Sequence, residues 1–238
     1  MTPTYPNQKP EYFPGSLIYW QQEGHVFEFR CDNAVALRVQ VLTDDILRFR
    51  YSTTGHFAPD FSYAIDPTFG GVCRRLRVSE SRYYIRISTE TVVCHISREG
   101  LKVHFSDIRG KKLCEDEKGF HWEGGEHGGD IVLMSKKAGP EEAYFGLGDK
   151  ASALNLRGQR LQNWNTDCFG YRTGADPLYR SIPFYMGLTE GLAYGIFFDN
   201  SFRTFFDFAK ERHDTTSFWA HGGEMNYYFF HGPTLLEV

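Results

Sequence analysis

The sequence predicts an all-β fold, a single large antiparallel β-sandwich, from three observations. Apolar and polar residues alternate with a period of two in runs that recur from Leu17 to Phe230. Short clusters with Asp, Asn or Gly, such as Asp32-Asn33, separate these runs as tight turns between antiparallel neighbours do. Apart from a short candidate at 149–154, no stretch keeps a helical period over three turns. The expected sandwich is larger than an immunoglobulin domain.

The N-terminal segment, residues 1–15, differs from the rest of the chain. It carries four prolines and few apolar residues, which predicts an extended or frayed lead rather than a packed element. No linker-like stretch divides residues 16–238, so one domain is expected there. A chain of 238 residues that is 41% hydrophobic and 16% aromatic can bury a sizeable core.

The next segments alternate as half-buried strands do. In the run 46–51, Leu47, Phe49 and Tyr51 fall on one face, whereas Arg48 and Arg50 fall on the other. This pattern predicts one face in the core and one face in water. Further strands of the same kind are predicted at 26–29, 35–42, 82–87 and 101–105.

A glycine-rich, charged stretch follows at 115–129 and predicts a flexible excursion between strands. Its His127 is interpreted as a solvated loop residue in preference to a ligand. Strands are predicted to resume at 130–134 and 143–147. The pair Gly146-x-Gly148 lacks the other residues of a phosphate-binding loop, so it is interpreted as a turn that brings the backbone close to a neighbouring strand.

The C-terminal third is the most aromatic part, with thirteen Phe, Tyr or Trp residues in the 45 positions 164–208. Phe197, Phe205 and Phe208 occur at strand spacing and are expected to pack in the core. Asp199-Asn200 and Asp207 are interpreted as turn and cap residues. Two last strands are predicted at 215–220 and 225–230, joined as a hairpin through 221–224.

Charge and hydropathy exclude several function classes. The net charge of −4 arises from scattered residues, without the basic stripe that holds phosphates, so no nucleic-acid partner is expected. No apolar run approaches the roughly 18 to 20 residues of a membrane span, and Met1 to Tyr19 does not resemble a secretory signal. We therefore expect no membrane partner and a cytoplasmic protein.

The five cysteines are widely spaced, with no Cys-x-x-Cys pair, which favours isolated reduced thiols over disulfides or a zinc site. Cys94 shares the predicted inward face of a strand with Val92 and Ile96, so a buried thiol is a better interpretation than a metal ligand. The sequence predicts no metal and no cofactor.

The stretch from Asn163 to Tyr171 is too polar to belong to either neighbouring strand. It holds the two amides Asn163 and Asn165 and the carboxylate of Asp167, together with the rings of Trp164 and Tyr171. Sugars take polar partners on their hydroxyls and aromatic rings on their C–H faces. This loop is therefore a candidate carbohydrate contact.

Several motifs near this loop resemble the N-terminal β-sandwich domain of glycoside hydrolase family 31, the α-glucosidase and α-xylosidase family. They are Phe145-Gly-Leu-Gly-Asp-Lys150, Leu156-Arg-Gly158 and the run 176–208, in the family's order and spacing. The resemblance covers 144–208 closely and implies a galactose-mutarotase-like super-sandwich. At Asp149 the chain departs from the family pattern, which usually has Glu there, so no role is carried over to that carboxylate.

The resemblance also implies a function. In the family, both catalytic aspartates lie on a (β/α)8 barrel that follows this domain, and the Asp-Met-Asn-Glu motif of the nucleophile is absent here. The chain is thus expected to be inactive alone, to pack on that barrel, and to lend it the loop from Trp164 to Tyr171. Asp167 is expected to contact the hydroxyls of an α-linked glucoside or xyloside on the leaving-group side, with Trp164, Asn165 and Thr166 as neighbouring contacts.

Two alternatives remain open from the sequence. Asp167 could instead close an Asx-turn in an ordinary surface loop. The chain could also be an independent carbohydrate-binding or mutarotase-like module, which for mutarotase chemistry needs an acid and a base, typically His with Glu, converging on one face. The histidines occur in unrelated sequence contexts, which favours the non-catalytic module of a larger glycosidase.

Overall fold

The fold is known from a computed structural model, which describes residues 9–125 and 129–238. Every helix or strand assigned in those ranges is a β-strand. The strands are β1 (Leu17–Glu23), β2 (Val26–Cys31), β3 (Ala36–Val41), β4 (Ile46–Ser52), β5 (Arg77–Glu80), β6 (Tyr84–Ser88), β7 (Val92–Ser97), β8 (Val103–Asp107), β9 (Lys112–Gly124), β10 (Asp130–Lys137), β11 (Ala143–Gly148), β12 (Gln159–Asn163), β13 (Ser181–Thr189), β14 (Leu192–Phe198), β15 (Thr204–Phe208), β16 (Thr215–Ala220) and β17 (Met225–Gly232).

The strands form two antiparallel sheets that share one core. The eight-stranded sheet has the order β1-β2-β3-β4-β17-β14-β13-β11, and the nine-stranded sheet has the order β12-β15-β16-β10-β9-β8-β7-β6-β5. Phe105 of β8 meets Phe49 of β4 edge-on at 5.4 Å and stacks on Phe229 of β17 at 3.7 Å between ring centroids. These cross-sheet contacts confirm the predicted all-β sandwich.

The described part of the N-terminal lead is extended and tied to the sandwich. Tyr12 exchanges two backbone hydrogen bonds with Trp122, at 2.9 and 3.0 Å, and the two rings stack at 5.8 Å. Residues 1–8 of the predicted lead lie outside the described residues. No helix in the described ranges is both long and apolar enough to cross a membrane.

The predicted alternation in β4 is correct, but its second face does not lie in water. Arg48 and Arg50 are buried because the segment that follows β4 folds back over them. The guanidinium of Arg48 donates two hydrogen bonds to Asp60, at 2.9 and 2.7 Å. Arg50 donates to the carbonyl of Ala58 at 2.8 Å and to the carboxylate of Glu224 at 2.6 Å. Ion pairing thus allows arginines to occupy a covered face.

The predicted excursion at 115–129 is wrong for most of its length. β9 continues through Gly124 and pairs with β8 on one side and β10 on the other. Gly119 has a φ of 76° close to an irregularity in the β9–β10 register. The glycine therefore accommodates this irregularity within β9 and does not mark a loop. His127, interpreted from the sequence as a solvated loop residue, lies outside the described residues.

Two other predictions of local structure are corrected. β16 pairs with β10 and β15, whereas β17 pairs with β4 and β14, so the two strands lie in different sheets and do not form a hairpin. Residues 221–224 cross from one sheet to the other. The candidate at 149–154 is not helical.

The predicted close approach at Gly146 and Gly148 is confirmed. A Cβ at Gly146 would lie 2.5 Å from the carbonyl oxygen of Phe184, and one at Gly148 would lie 2.7 Å from that of Arg180. The two glycines have φ angles of 129° and 78°. Only glycine fits such a contact with the neighbouring strand β13. Cys94 is buried with Val92 and Ile96, as predicted, and all five cysteines are free thiols.

Candidate functional site

The polar loop predicted from sequence connects β12 to β13 over residues 164–180, and a buried ion pair secures its base. The ammonium of Lys150 lies 3.1 Å from the carboxylate of Asp176, and the two side chains are 4% and 10% exposed. The same ammonium donates to the carbonyl of Gln162 at 2.7 Å, while Asp176 accepts a hydrogen bond from the Gln162 amide at 2.7 Å. Burial lowers the pKa of Lys150, and the charge of Asp176 opposes that shift.

Asp149 and Arg180 form a second link at the base of this loop. The Asp149 carboxylate accepts two hydrogen bonds from the Arg180 guanidinium, at 3.0 and 3.1 Å. These bonds hold the pKa of Asp149 below its ordinary value. The pair is exposed, so it fixes geometry more than it adds stability. In this chain the carboxylate at position 149 therefore has a structural partner.

Asn165 and Thr166 hold the loop backbone in place. The side-chain oxygen of Asn165 accepts a hydrogen bond from the Ser181 amide at 2.9 Å. The amide of Thr166 donates to Leu178 at 2.9 Å, and its hydroxyl donates to the Trp164 carbonyl at 3.0 Å. The loop therefore has a defined conformation before any ligand is present.

Asp167 is exposed, and its carboxylate has neither a hydrogen bond nor an ion pair with any residue in 9–125 or 129–238. The Asx-turn that the sequence left open as an alternative is not formed. Phe169 and Tyr171 are exposed on the same loop. Trp164 is half-exposed, and the Arg203 guanidinium lies 5.9 Å from its ring centroid. The loop thus presents an unpaired carboxylate and several aromatic rings to the outside.

A groove of ≈ 430 Å³ begins beside this loop. Its ten lining residues include Trp164 and Asn165 from the loop, Asn163 and Thr204 from adjacent strand ends, and Phe202 and Tyr63 from two other connections. Sequence reasoning missed Tyr63 and Phe202. The sequence around Phe202 indicates only a turn at Asp199-Asn200, and nothing near Tyr63 links it to residues so distant in sequence.

Sequence reasoning also missed a row of titratable residues on the nine-stranded sheet. His95 of β7 is the register partner of His104 of β8, which in turn pairs with Glu115 of β9. His95 and His104 are thus neighbours in the sheet, although their sequence contexts are unrelated. Glu115 is engaged by Lys137 and, at 3.3 Å, by Lys112, so it is not a free base beside His104. Burial lowers the pKa of both histidines. Among the described residues no group of three His, Cys, Asp or Glu could hold a metal ion.

Comparison with known proteins identifies relatives over nearly the whole chain. Residues 36–207 match the family described as the glycosyl hydrolase 31 N-terminal galactose mutarotase-like domain. Alpha-glucosidase 2 of Bacillus thermoamyloliquefaciens is 31% identical over 226 residues, which are 94% of this chain and 28% of that protein. Alpha-xylosidase XylQ of Lactiplantibacillus pentosus is 35% identical over 100 residues, 42% of this chain and 12% of that protein.

A solved structure from the same family also superposes on most of this chain. The GH31 dextranase of Flavobacterium johnsoniae, in complex with isomaltotriose, superposes with a TM-score of 0.83 at 31% identity, over 93% of this chain and 27% of the dextranase chain. The chain thus spans just over a quarter of the length of the α-glucosidase and of the dextranase, 28% and 27% respectively.

Proposed function

Because this chain belongs to the N-terminal galactose mutarotase-like domains of glycosyl hydrolase family 31, we propose that it is the non-catalytic module of a retaining α-glycosidase. Its partner is a catalytic (β/α)8 barrel in the same polypeptide, and its contribution is the loop from Trp164 to Tyr171. Substrates of the whole enzyme are α-linked glucosides or xylosides. The named activities of the relatives, an α-glucosidase, an α-xylosidase and a dextranase, support this substrate class.

The observation that carries the proposal is the contrast between Asp167 and the residues around it. Asn165 and Thr166 are bonded within the protein, whereas the Asp167 carboxylate is exposed and has no partner among the described residues. An ionised carboxylate accepts short, strong hydrogen bonds from hydroxyl groups. On a loop that is already ordered, it can meet a sugar with little loss of conformational entropy. We assign Asp167 to the hydroxyls of the leaving-group sugar.

The neighbouring residues have distinct parts in this proposal. The Trp164 ring offers an apolar face to sugar C–H groups, and Asn165 and Thr166 position the loop through the bonds described above. None of these groups forms the pair of carboxyls, about 5 to 5.5 Å apart, that retaining hydrolysis needs. The domain is therefore assigned to binding, and the chemistry is assigned to the barrel.

Substitution of Asp167 tests this proposal in the full-length polypeptide. Asp167→Ala removes charge-assisted hydrogen bonds worth roughly 1.5 to 3 kcal/mol, so kcat/KM on maltose falls about ten- to a hundredfold. An aryl α-glucoside places a flat ring where maltose places hydroxyls, so its kcat/KM changes little. Melting temperature stays near the unsubstituted value, because the Asp167 side chain has no bond to a described residue.

Asp214→Ala is the control outside the loop, because Asp214, before β16, is also an exposed aspartate, although its carboxylate is bonded to Arg212 and Thr215. It leaves kcat/KM on both substrates unchanged. Equal losses on maltose and on the aryl glucoside for Asp167→Ala, together with a lower melting temperature, contradict the proposal and assign Asp167 to loop structure.

A further inference from the structure

We propose that the groove beside the loop binds one neutral hexopyranose unit, held by the side chains of Asn163 and Thr204 and flanked by the rings of Tyr63, Trp164 and Phe202. The choice of a sugar as ligand rests on the proposed function. The position, polarity and lining residues of the site are observed in the structure and do not depend on that function.

Asn163 lines the groove and is 4% exposed. Neither its amide nitrogen nor its amide oxygen has a hydrogen-bond partner within 9–125 and 129–238. A buried amide normally satisfies both groups, because leaving them unpaired is unfavourable. Asn163 therefore holds one unpaired donor group and one unpaired acceptor at the inner edge of the groove.

Thr204 adds a second polar group next to Asn163. The two residues are direct register partners at the ends of β12 and β15, so their side chains lie on the same face of the sheet. Thr204 is 1% exposed, lines the groove, and its hydroxyl has no hydrogen bond to a described residue. An amide and a hydroxyl side by side can bond two adjacent hydroxyls of a pyranose ring.

Aromatic rings border these polar groups, and one of them is held firmly. The Asn200 side chain accepts a hydrogen bond from the Phe202 amide at 2.8 Å and donates to the Gly222 carbonyl at 2.9 Å. The Phe202 ring lies directly over Gly222, where an added Cβ would be only 2.6 Å away. Phe202 nevertheless remains 53% exposed, and Tyr63 is 86% exposed. Such rings suit the apolar faces of a sugar.

The lack of charged residues in the lining of the groove indicates which class of ligand it binds. None of the ten lining residues is Asp, Glu, Lys, Arg or His. The groove therefore offers no countercharge for a phosphate or a uronic acid, and no acid–base pair for turnover. Its volume of ≈ 430 Å³ is within the range of small-molecule sites. A neutral, hydroxyl-rich ring is the ligand that fits these properties.

Titration of the 238-residue chain with maltotriose tests the proposal directly. The probe signal is the indole N–H resonance of Trp164 in nitrogen-15 NMR spectra, assigned through Trp164→Phe. We expect a saturable shift. Asn163→Leu, which keeps the branched shape of the side chain and removes both polar groups, weakens binding roughly tenfold, as loss of one or two hydrogen bonds implies. Its melting temperature does not fall, because that side chain has no hydrogen bond to a described residue.

A pair of tyrosine variants provides the control. Tyr63→Ala removes an exposed ring that lines the groove, whereas Tyr83→Ala removes an exposed ring that does not. We expect weaker binding for Tyr63→Ala and unchanged binding for Tyr83→Ala. An absent shift on the unsubstituted chain, or an affinity unchanged by both Asn163→Leu and Tyr63→Ala, overturns the proposal.

Failure here is distinct from failure of the proposed function. The role of Asp167 is measured by kinetics of the full-length polypeptide, whereas the groove is measured by binding to this chain. Kinetic loss in Asp167→Ala without maltotriose binding rejects the groove alone. Binding that depends on Asn163, with normal kinetics in Asp167→Ala, rejects the loop assignment alone.

Discussion

Lys150 and Asp176 form a nearly buried ion pair, 3.1 Å apart, at the base of the loop that carries Asp167. Both residues also bond the backbone of Gln162 in β12. The position of the exposed carboxylate therefore depends on an interaction that is itself shielded from solvent. Shielding makes such a pair sensitive to the loss of either member.

Replacement of Lys150 by Met tests this dependence. The variant leaves the Asp176 carboxylate buried without its counterion, and we expect the free energy of unfolding to fall by about 3 kcal/mol. The loop should also open more often, so limited proteolysis should cut within 164–180 first. Urea unfolding and mass spectrometry of the fragments measure the two effects.

Arg180→Met serves as the comparison, because it breaks the exposed pair with Asp149 at the same loop. Little change in stability is expected there, since solvent screens that pair. If the two variants lose equal stability, the Lys150–Asp176 pair is not the main anchor.

The parts of this fold that could be predicted from sequence are those set by local pattern. Leu47, Phe49 and Tyr51 alternate with two arginines, and the inward face of β4 follows directly from that alternation. Gly146 and Gly148 likewise predict a close approach of the backbone to a neighbouring strand. The loop at 164–171 is recognisable because its polarity contrasts with the strands on both sides.

The parts that could not be predicted depend on pairings between distant residues. The burial of Arg48 requires Asp60 and Asn226 to come beside it, and no local pattern reports this. The pairing of Asn163 with Thr204 depends in the same way on the neighbouring strand. Two amides in one motif, Asn163 and Asn165, thus have different roles, because among the described residues only Asn165 has a hydrogen-bond partner for its side chain.

The core contains another ion pair, between Lys136 and Asp116, whose side chains are both fully buried and 2.7 Å apart. Lys136→Met alone should destabilise the domain by about 3 to 5 kcal/mol, because Asp116 is left as an uncompensated charge. Combining it with Asp116→Asn should recover most of this loss, since the amide oxygen can still accept the hydrogen bond from Val103. Denaturant unfolding of both single variants and the double variant gives the coupling free energy. Additive losses contradict the expectation.

Stability should also fall as the pH drops below the ordinary histidine pKa. Burial lowers the pKa of His121, and the carboxylate of Glu11 only partly opposes that shift. Below about pH 6.5 the unfolded chain binds a proton that the native imidazole does not, so unfolding becomes more favourable. The loss is at most about 1.4 kcal/mol per pH unit for this residue.

Urea unfolding at pH 7.5 and at pH 5.5 measures this effect. His121→Gln should lose less stability between the two pH values than the unsubstituted chain. His25→Gln, at an exposed position, is the control and should lose as much as the unsubstituted chain. Equal losses in all three proteins contradict the assignment to His121.

The purified 238-residue chain should release no 4-nitrophenol from 4-nitrophenyl α-glucoside above the rate of a heat-denatured sample. Retaining hydrolysis needs a nucleophile and an acid/base whose carboxyls face each other across the bond. The groove has no charged lining residue, and Asp167 on the neighbouring loop has no ion-pair partner among the described residues. Turnover that exceeds the denatured control and disappears in Asp167→Ala would contradict the assignment of binding to this domain and of catalysis to the barrel. It would make this chain an enzyme in its own right.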